Sequence, residues 1–198
     1  MGDGMMVKIC GITNREDALA AIEGGASALG FNFYPASPRY IAPGEAAAIA
    51  AQLPSGVWKV GVFVDESPEA LLRTAGRVAL DIAQLHGSET PEQYPRGIRV
   101  WKAIRMVDGQ VPPAPCGPAE AVLLDGPASG QVFDWARVPP GIARLILAGG
   151  LNADNVRQAI EQVHPWGVDA CSQIESSPGR KDRFKMAAFL KAALAASS

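Results

Sequence analysis

The stretch "VKICGITNREDALAAIEGGASALGFNF", residues 7–33, decides the fold. It takes in all but the first residue of an apolar, β-branched run at 6–12, a segment at 14–24 that opens with Asn14, and a second apolar run at 28–33. The two runs have the length and composition of short buried strands, and Asn is favoured at the start of a helix. A strand, a helix and a second strand in succession predict a crossover that makes the two strands parallel.

The same alternation continues to the end of the chain. Six more strand-like runs follow, at 58–64, 81–87, 99–105, 121–126, 145–150 and 167–174. Further helices are predicted at 44–53, 68–76, 152–163 and 183–196, with a weaker one near 90–95. This pattern favours an α/β fold, a compact (β/α)8 TIM barrel, over a doubly wound open sheet, which would want a glycine-rich turn after the first strand.

The whole chain, residues 1–198, is predicted to form a single domain, because no linker or low-complexity segment divides it. The segment 106–119 is rich in Pro and Gly and is predicted to replace the helix after strand five. The small and polar ends, residues 1–4 and 197–198, are expected to fray.

Composition excludes several classes of protein. The formal net charge is −2 and the basic residues are scattered, so nucleic acid is not an expected partner. No apolar run approaches the ~20 residues of a membrane span and no secretory signal opens the chain, so a cytoplasmic protein without membrane contact is predicted. The three cysteines lack CxxC spacing and the two histidines lie far apart, which gives no support for a metal site.

Barrel enzymes carry their chemistry at the carboxyl ends of the strands. Cys10 lies at the end of strand one, on the same strand face as Lys8, and Asp125 ends strand six. A thiol and a carboxyl facing each other across the barrel mouth can act as general base and general acid. The alternative for Cys10 is a small apolar side chain that fills the barrel.

The last two strand ends indicate a phosphate site. Gly149 and Gly150 follow strand seven directly before the predicted helix, where bare backbone N–H groups can face an anion. Strand eight adds Ser172 and Gln173, and the loops after strands seven and eight commonly hold a substrate phosphate in this fold. The alternative is that the two glycines only turn the chain.

Three further polar residues are candidates for substrate binding. Arg39 follows a Ser-Pro turn after strand two, where its planar fork could take a carboxylate, or it is a surface arginine. Gln84 shares a strand face with His86 and is either a core polar residue or a ligand. Asp169 lies in an apolar strand and therefore needs a partner.

With these residues assembled, the chain resembles the phosphoribosylanthranilate isomerase family of tryptophan biosynthesis over nearly its whole length. Seven motifs occur in family order: "KICGIT" (8–13), "GFNFYPASPRYI" (30–41), "VGVFVD" (60–65), "QLHG" (84–87), "LLDG" with "FDW" (123–135), "LAGGLN" (147–152) and "GVDACSQIESSPGRKD" (167–182).

The resemblance implies a barrel enzyme without metal or organic cofactor, acting on a small phosphorylated sugar-anthranilate by an Amadori rearrangement. Asp125 would protonate the furanose ring oxygen, and Cys10 would remove the proton from C2 of the ring-opened Schiff base. Arg39 would hold the anthranilate carboxylate. The phosphate would be bound by Gly149, Gly150, Ser172 and the backbone at Gln173.

Two departures from the family pattern stand out. Gln173 replaces a common glycine and would be strained at a positive φ, and the segment 126–135 has fewer glycines than the usual loop. Two other functions stay open at this point: another phosphosugar reaction, such as an epimerisation, and a barrel that survives as a non-catalytic scaffold. The chain could act as a monomer or a homodimer.

Overall fold

Eight parallel strands close into one barrel in a computed structural model that describes residues 4–107 and 117–196. In chain order they are β1 (Met6–Ile9), β2 (Ala28–Asn32), β3 (Trp58–Phe63), β4 (Ile82–Leu85), β5 (Arg99–Arg105), β6 (Ala121–Asp125), β7 (Leu145–Leu147) and β8 (Gly167–Ala170). The barrel closes where β8 pairs with β1, with Lys8 opposite Asp169. The predicted (β/α)8 barrel is therefore confirmed, and the open sheet is excluded.

Helices cover the outside of the barrel. They are α1 (Arg15–Glu23), α2 (Pro43–Ala50), α3 (Pro68–Val78), α4 (Val156–Val163) and α5 (Arg183–Ala196). Short 3₁₀ turns follow β4, at Pro91–Gln93, and β6, at Trp135–Arg137. A two-stranded antiparallel hairpin, β9 (Glu175–Ser177) and β10 (Arg180–Lys181), lies between β8 and α5.

Some predictions concern residues outside the described ranges. Residues 108–116 form the middle of the segment predicted to replace a helix, and the expected frayed ends include residues 1–3 and 197–198. Within the ranges that are described, no helix is long and apolar enough to cross a membrane.

The first residues of α1 and α4 test the helix starts that were predicted from capping residues. Asn14 caps α1 as predicted, since its side chain accepts from the backbone N–H of Asp17 at 2.9 Å. Asn152 caps the turn that leads into α4, since its side-chain oxygen accepts from the N–H groups of Asp154 and Asn155 and its carbonyl oxygen from the N–H of Val156. The regular helix begins only at Val156, so the predicted start at residue 152 is too early.

An aromatic cluster fills the barrel near the starts of its strands. The ring of Trp101 is fully buried and meets Trp58 and Trp166 edge-on, with ring centroids 5.9 and 6.0 Å apart. The guanidinium of Arg99 lies 4.5 Å from the centroid of the Trp58 ring. Edge-on aromatic pairs pack favourably, and together these rings close the amino-terminal end of the barrel.

Trp101→Ala is expected to lower the free energy of unfolding by about 3–5 kcal/mol, because a buried indole leaves a cavity among rigid neighbours. The midpoint of urea denaturation followed by circular dichroism measures the change. Phe184→Ala is the matched control, since Phe184 is 90% exposed on α5. It should stay within about 0.5 kcal/mol of the unsubstituted chain. Equal midpoints for the two variants would contradict the packing role of Trp101.

Candidate active site

A cavity of about 820 Å³ opens at the carboxyl ends of the barrel strands. All nine residues singled out from the sequence line it: Cys10, Arg39, Gln84, Asp125, Gly149, Gly150, Asp169, Ser172 and Gln173. The barrel thus brings together side chains from the ends of six strands or from the loops that follow them, although their individual roles stay predictions.

An ion pair lies inside the barrel beneath this cavity. Lys8 on β1 is fully buried, and its Nζ donates to Oδ2 of Asp169 on β8 at 2.9 Å. Burial by itself lowers the pKa of Lys8, but the charges of Asp169 and Cys10 hold that pKa above its usual value. Burial raises the pKa of Asp169, while the Lys8 ammonium opposes the rise. Asp169 thus has the partner that its burial demands.

A pair of thiols lies one layer above the ion pair. Cys10 and Cys171 directly follow Ile9 and Ala170, the last register pair of β1 and β8. A hydrogen bond with the Cys171 thiol lowers the pKa of Cys10 well below its usual value, and the charge of Lys8 adds to this effect against the cost of burial. The same hydrogen bond, together with burial, raises the pKa of Cys171. The directions of these two shifts favour the thiolate at Cys10 over the thiolate at Cys171.

Asp125 approaches the cavity from the end of β6. Its side chain is 28% exposed, and its Oδ2 lies 3.3 Å from Nε2 of His86 at the end of β4. Its Oδ1 accepts from the backbone N–H of Gly126 at 2.9 Å. Asp125 is thus held at the cavity wall with one oxygen beside the imidazole of His86, a residue that the sequence placed at the end of strand four but did not pair with Asp125.

Arg39 reaches the cavity from the loop after β2, but it is not a free cation. Its Nε and Nη2 donate to the carboxylate of Glu175 at 3.0 and 2.7 Å. Burial alone would raise the pKa of Glu175, yet the hydrogen bonds from Arg39 and the nearby charge of Lys181 hold it below its usual value. This pairing orients the guanidinium. Among the described residues, Nη1 has no hydrogen-bond partner and remains for a ligand.

The hairpin β9–β10 supplies the residues behind Arg39. Lys181 donates from its Nζ to Glu175 at 2.9 Å and to the carbonyl oxygen of Cys171 at 3.2 Å. Sequence reasoning placed both charged residues in the motif that follows strand eight and assigned neither a role. The signal that could have found them is their burial, which only the folded hairpin establishes.

The glycine pair turns the chain and also makes room for a neighbouring loop. Gly149 and Gly150 have φ values of +83° and +67°, which favour glycine. A Cβ on Gly149 would come within 2.2 Å of the backbone nitrogen of Gly126. A Cβ on Gly150 would meet the backbone of Gln131 at 2.8 Å. The loop after β6 therefore packs on the glycine pair, and the bare backbone still lines the cavity.

Gln173 is accommodated without backbone strain. It lies in a 3₁₀ turn, Ser172–Ile174, and its φ is not positive. Its side-chain Nε2 donates to the carbonyl oxygen of Gly130 at 2.8 Å. The glutamine thus ties the loop after β6 to the turn after β8.

Three buried polar atoms in the cavity wall have no hydrogen-bond partner among the residues described: Oε1 of Gln84, Nε2 of His86 and Oδ1 of Asp169. Buried polar atoms are nearly always paired, so polar groups of a ligand at these atoms would complete the site. No group of three or more His, Cys, Asp or Glu within residues 4–107 and 117–196 could hold a metal ion. A reaction without cofactor stays a prediction.

Comparison with known proteins shows the family of this chain. The family model described as N-(5'phosphoribosyl)anthranilate (PRA) isomerase matches residues 7–192. The N-(5'-phosphoribosyl)anthranilate isomerase of Solibacter usitatus is 51% identical, over 97% of this chain and 98% of its own. A crystal structure of the Thermus thermophilus enzyme has a TM-score of 0.89 at 41% identity, covering 95% of this chain and 98% of that one.

A second crystal structure carries a bound molecule. It is a phosphoribosyl anthranilate isomerase in complex with reduced 1-(o-carboxyphenylamino)-1-deoxyribulose 5-phosphate, with a TM-score of 0.81 at 40% identity. The match covers 96% of this chain and 98% of that one.

Alkylation of Cys10 by iodoacetamide is expected to stay fast as the pH falls below the usual range of thiols, because the pKa of Cys10 is lowered. Lys8→Met removes one of the charges that lower it, so the rate at neutral pH should fall while the rate at high pH should not. Mass spectrometry of the peptide that contains Cys10 measures the rate. Lys191→Met, at an exposed position of α5, is the control. Identical pH profiles for all three proteins would contradict the effect of Lys8.

Proposed function

The chain belongs to the N-(5'-phosphoribosyl)anthranilate isomerase family, and we propose that Cys10 and Asp125 are the general base and general acid of its reaction. As a member of this family it is an isomerase of tryptophan biosynthesis. The reaction is the Amadori rearrangement of N-(5'-phosphoribosyl)anthranilate to 1-(2-carboxyphenylamino)-1-deoxyribulose 5-phosphate. One observation carries the assignment. Cys10 and Asp125 line the same cavity, between the candidate sites for the phosphate and the carboxylate.

The substrate carries an anionic group at each end, and each group needs its own binding site. The phosphate fits the loops after β7 and β8, where Gly149, Gly150 and the turn at Ser172 expose backbone to the cavity. The anthranilate carboxylate fits Arg39, whose Nη1 points away from its contact with Glu175. Anchoring both ends holds the sugar between acid and base, and such positioning supplies much of the rate enhancement of a unimolecular rearrangement.

The chemistry needs one proton delivered and one removed. Asp125 in its protonated form donates to the furanose ring oxygen, and the ring opens to a Schiff base. The Cys10 thiolate then takes the proton from C2, and the electrons released form an enolamine, which tautomerises to the ketone. The lowered pKa of Cys10 supports this role, because the thiolate is the form that accepts a proton.

The residues next to Cys10 and Asp125 support the assignment of Cys10 as the base and Asp125 as the acid. Lys8 places a positive charge beneath the Cys10 sulfur, which favours the thiolate before the proton transfer. His86 places an imidazole beside the proposed acid, with its Nε2 3.3 Å from Oδ2 of Asp125. Gln84 and Asp169 offer acceptors to the sugar hydroxyls from the floor of the cavity.

The other functions considered from the sequence have less support. Another phosphosugar reaction would use the same phosphate loops, but the relatives that match over nearly the full chain are isomerases by name. A non-catalytic scaffold would not need a buried lysine that lowers the pKa of a thiol at the cavity wall. The cytoplasmic location and the absence of nucleic-acid, membrane and cofactor partners stay predictions from the sequence.

Cys10→Ser and Asp125→Asn are each expected to lower kcat by ~10²-fold or more, because each removes one proton-transfer group. The assay follows the loss of anthranilate fluorescence with freshly prepared phosphoribosylanthranilate. Glu161→Gln is the control, because it removes a carboxylate on α4 whose side chain is 62% exposed. Normal turnover by both site variants would overturn the assigned roles. An inactive unsubstituted protein would favour the scaffold.

Arg39→Met should raise KM strongly, because the anthranilate carboxylate loses its cationic partner. Inhibition by inorganic phosphate should change little, since phosphate binds at the other end of the cavity. The two constants are measured on the same enzyme preparation, and Arg157→Met at an exposed position of α4 is the matched control. A parallel loss of phosphate inhibition would show that Arg39 serves the phosphate end or the fold instead.

A further inference from the structure

Two cysteines meet above the buried ion pair, and the second of them has no part in the proposed reaction. Side chains alternate along a strand, so Lys8 and Cys10 share one face of β1, and Asp169 and Cys171 share the same face at β8. Lys8 is the register partner of Asp169, and the backbone N–H of Cys10 continues the ladder to Ala170 at 2.9 Å. The two thiols therefore lie side by side at the ends of β1 and β8, directly above the ion pair of Lys8 and Asp169.

This placement suits a disulfide. Neighbouring strands lie about 4.8 Å apart, which falls within the roughly 4.4–6.8 Å between Cα atoms that a disulfide spans. Each thiol also shifts the pKa of the other, as expected for neighbouring sulfurs. No backbone rearrangement across the barrel is needed, because both residues stand on adjacent strands at the same height.

A small oxidant can reach both sulfurs. Cys10 and Cys171 line the same cavity, Cys171 is partly exposed, and Cys10 keeps 9% of its surface accessible. A hydroperoxide is much smaller than a phosphorylated sugar, so a cavity that admits the substrate admits the oxidant.

We propose that Cys10 and Cys171 form a hydroperoxide-sensitive pair that closes to a disulfide and blocks the active site reversibly. In the first step the Cys10 thiolate attacks the hydroperoxide, the O–O bond breaks, and Cys10 becomes a sulfenic acid while an alkoxide or hydroxide leaves. In the second step the sulfur of Cys171 attacks the sulfenic sulfur and the S–O bond breaks. The hydroxide leaves with the thiol proton as water.

The charges around the pair favour this order of events. Before oxidation, the neighbouring Cys10 and burial raise the pKa of Cys171, which favours its protonated form. A sulfenic acid is neutral, so oxidation of Cys10 removes that negative neighbour. The Lys181 ammonium remains 3.9 Å from the Cys171 sulfur and favours its thiolate, which is the form that attacks.

The consequence for activity rests on the proposed function. A disulfide removes the thiolate that the proposed mechanism uses as base, so the oxidised enzyme should be inactive. The bond also protects Cys10 from further oxidation to the sulfinic acid, which thiols do not reverse. A dithiol reductant should therefore return the enzyme to full activity.

The test treats the full-length protein, with Cys116→Ser to remove the third thiol, with hydrogen peroxide. Activity is measured before and after treatment and again after dithiothreitol, and a non-reducing tryptic digest is analysed by mass spectrometry. We expect near-complete loss of activity, near-complete recovery, and a linked peptide that joins residues 9–15 to residues 158–180. Non-reducing electrophoresis should show no linked dimer.

Cys171→Ser in the same background is the matched variant, and its activity is compared with its own untreated value. Serine keeps a hydroxyl toward the Cys10 sulfur but cannot form the bond, so we expect a similar loss with little recovery. Absence of the linked peptide, or equal recovery in both proteins, would overturn the proposal. A linked peptide with undiminished activity would uphold the modification site and overturn the assignment of Cys10 as base.

Discussion

The ion pair between Lys8 and Asp169 is the interaction on which the rest of the site depends. It joins the first strand to the last, where the barrel closes, and both side chains are buried. An unpaired charge at either position is strongly destabilising, whereas the pair offsets much of its own desolvation. One contact therefore joins the two strands at which the barrel closes and also places a positive charge beneath Cys10.

Contacts between the loops determine how the cavity is shaped above this pair. The loop after β6 packs on Gly149 and Gly150, and the side chain of Gln173 holds the same loop at Gly130. On the other side of the cavity, Glu175 orients Arg39. Catalytic groups on separate loops act together only when such contacts hold them in position, and here each loop is held by the next.

Sequence reasoning succeeded where one residue type has one local consequence. The alternation of strands and helices predicted the barrel, and Asn14 predicted the start of α1, because periodicity and capping depend on neighbours within one turn. It placed the start of α4 too early, because Asn152 caps a turn that precedes the regular helix. The length of that turn depends on how the chain leaves β7 and docks α4, and the sequence window around Asn152 does not contain that information.

The sequence by itself determined the fold, the family motifs and the set of residues at the strand ends, because these follow from local patterns and from the rule that barrel chemistry lies at one end. Only the tertiary structure decided that Glu175 pairs with Arg39, that Gln173 reaches Gly130, and that Cys171 stands beside Cys10. Each of these contacts joins segments that are far apart in the chain. Whether two such side chains meet depends on strand register and loop packing, which no single stretch of sequence specifies.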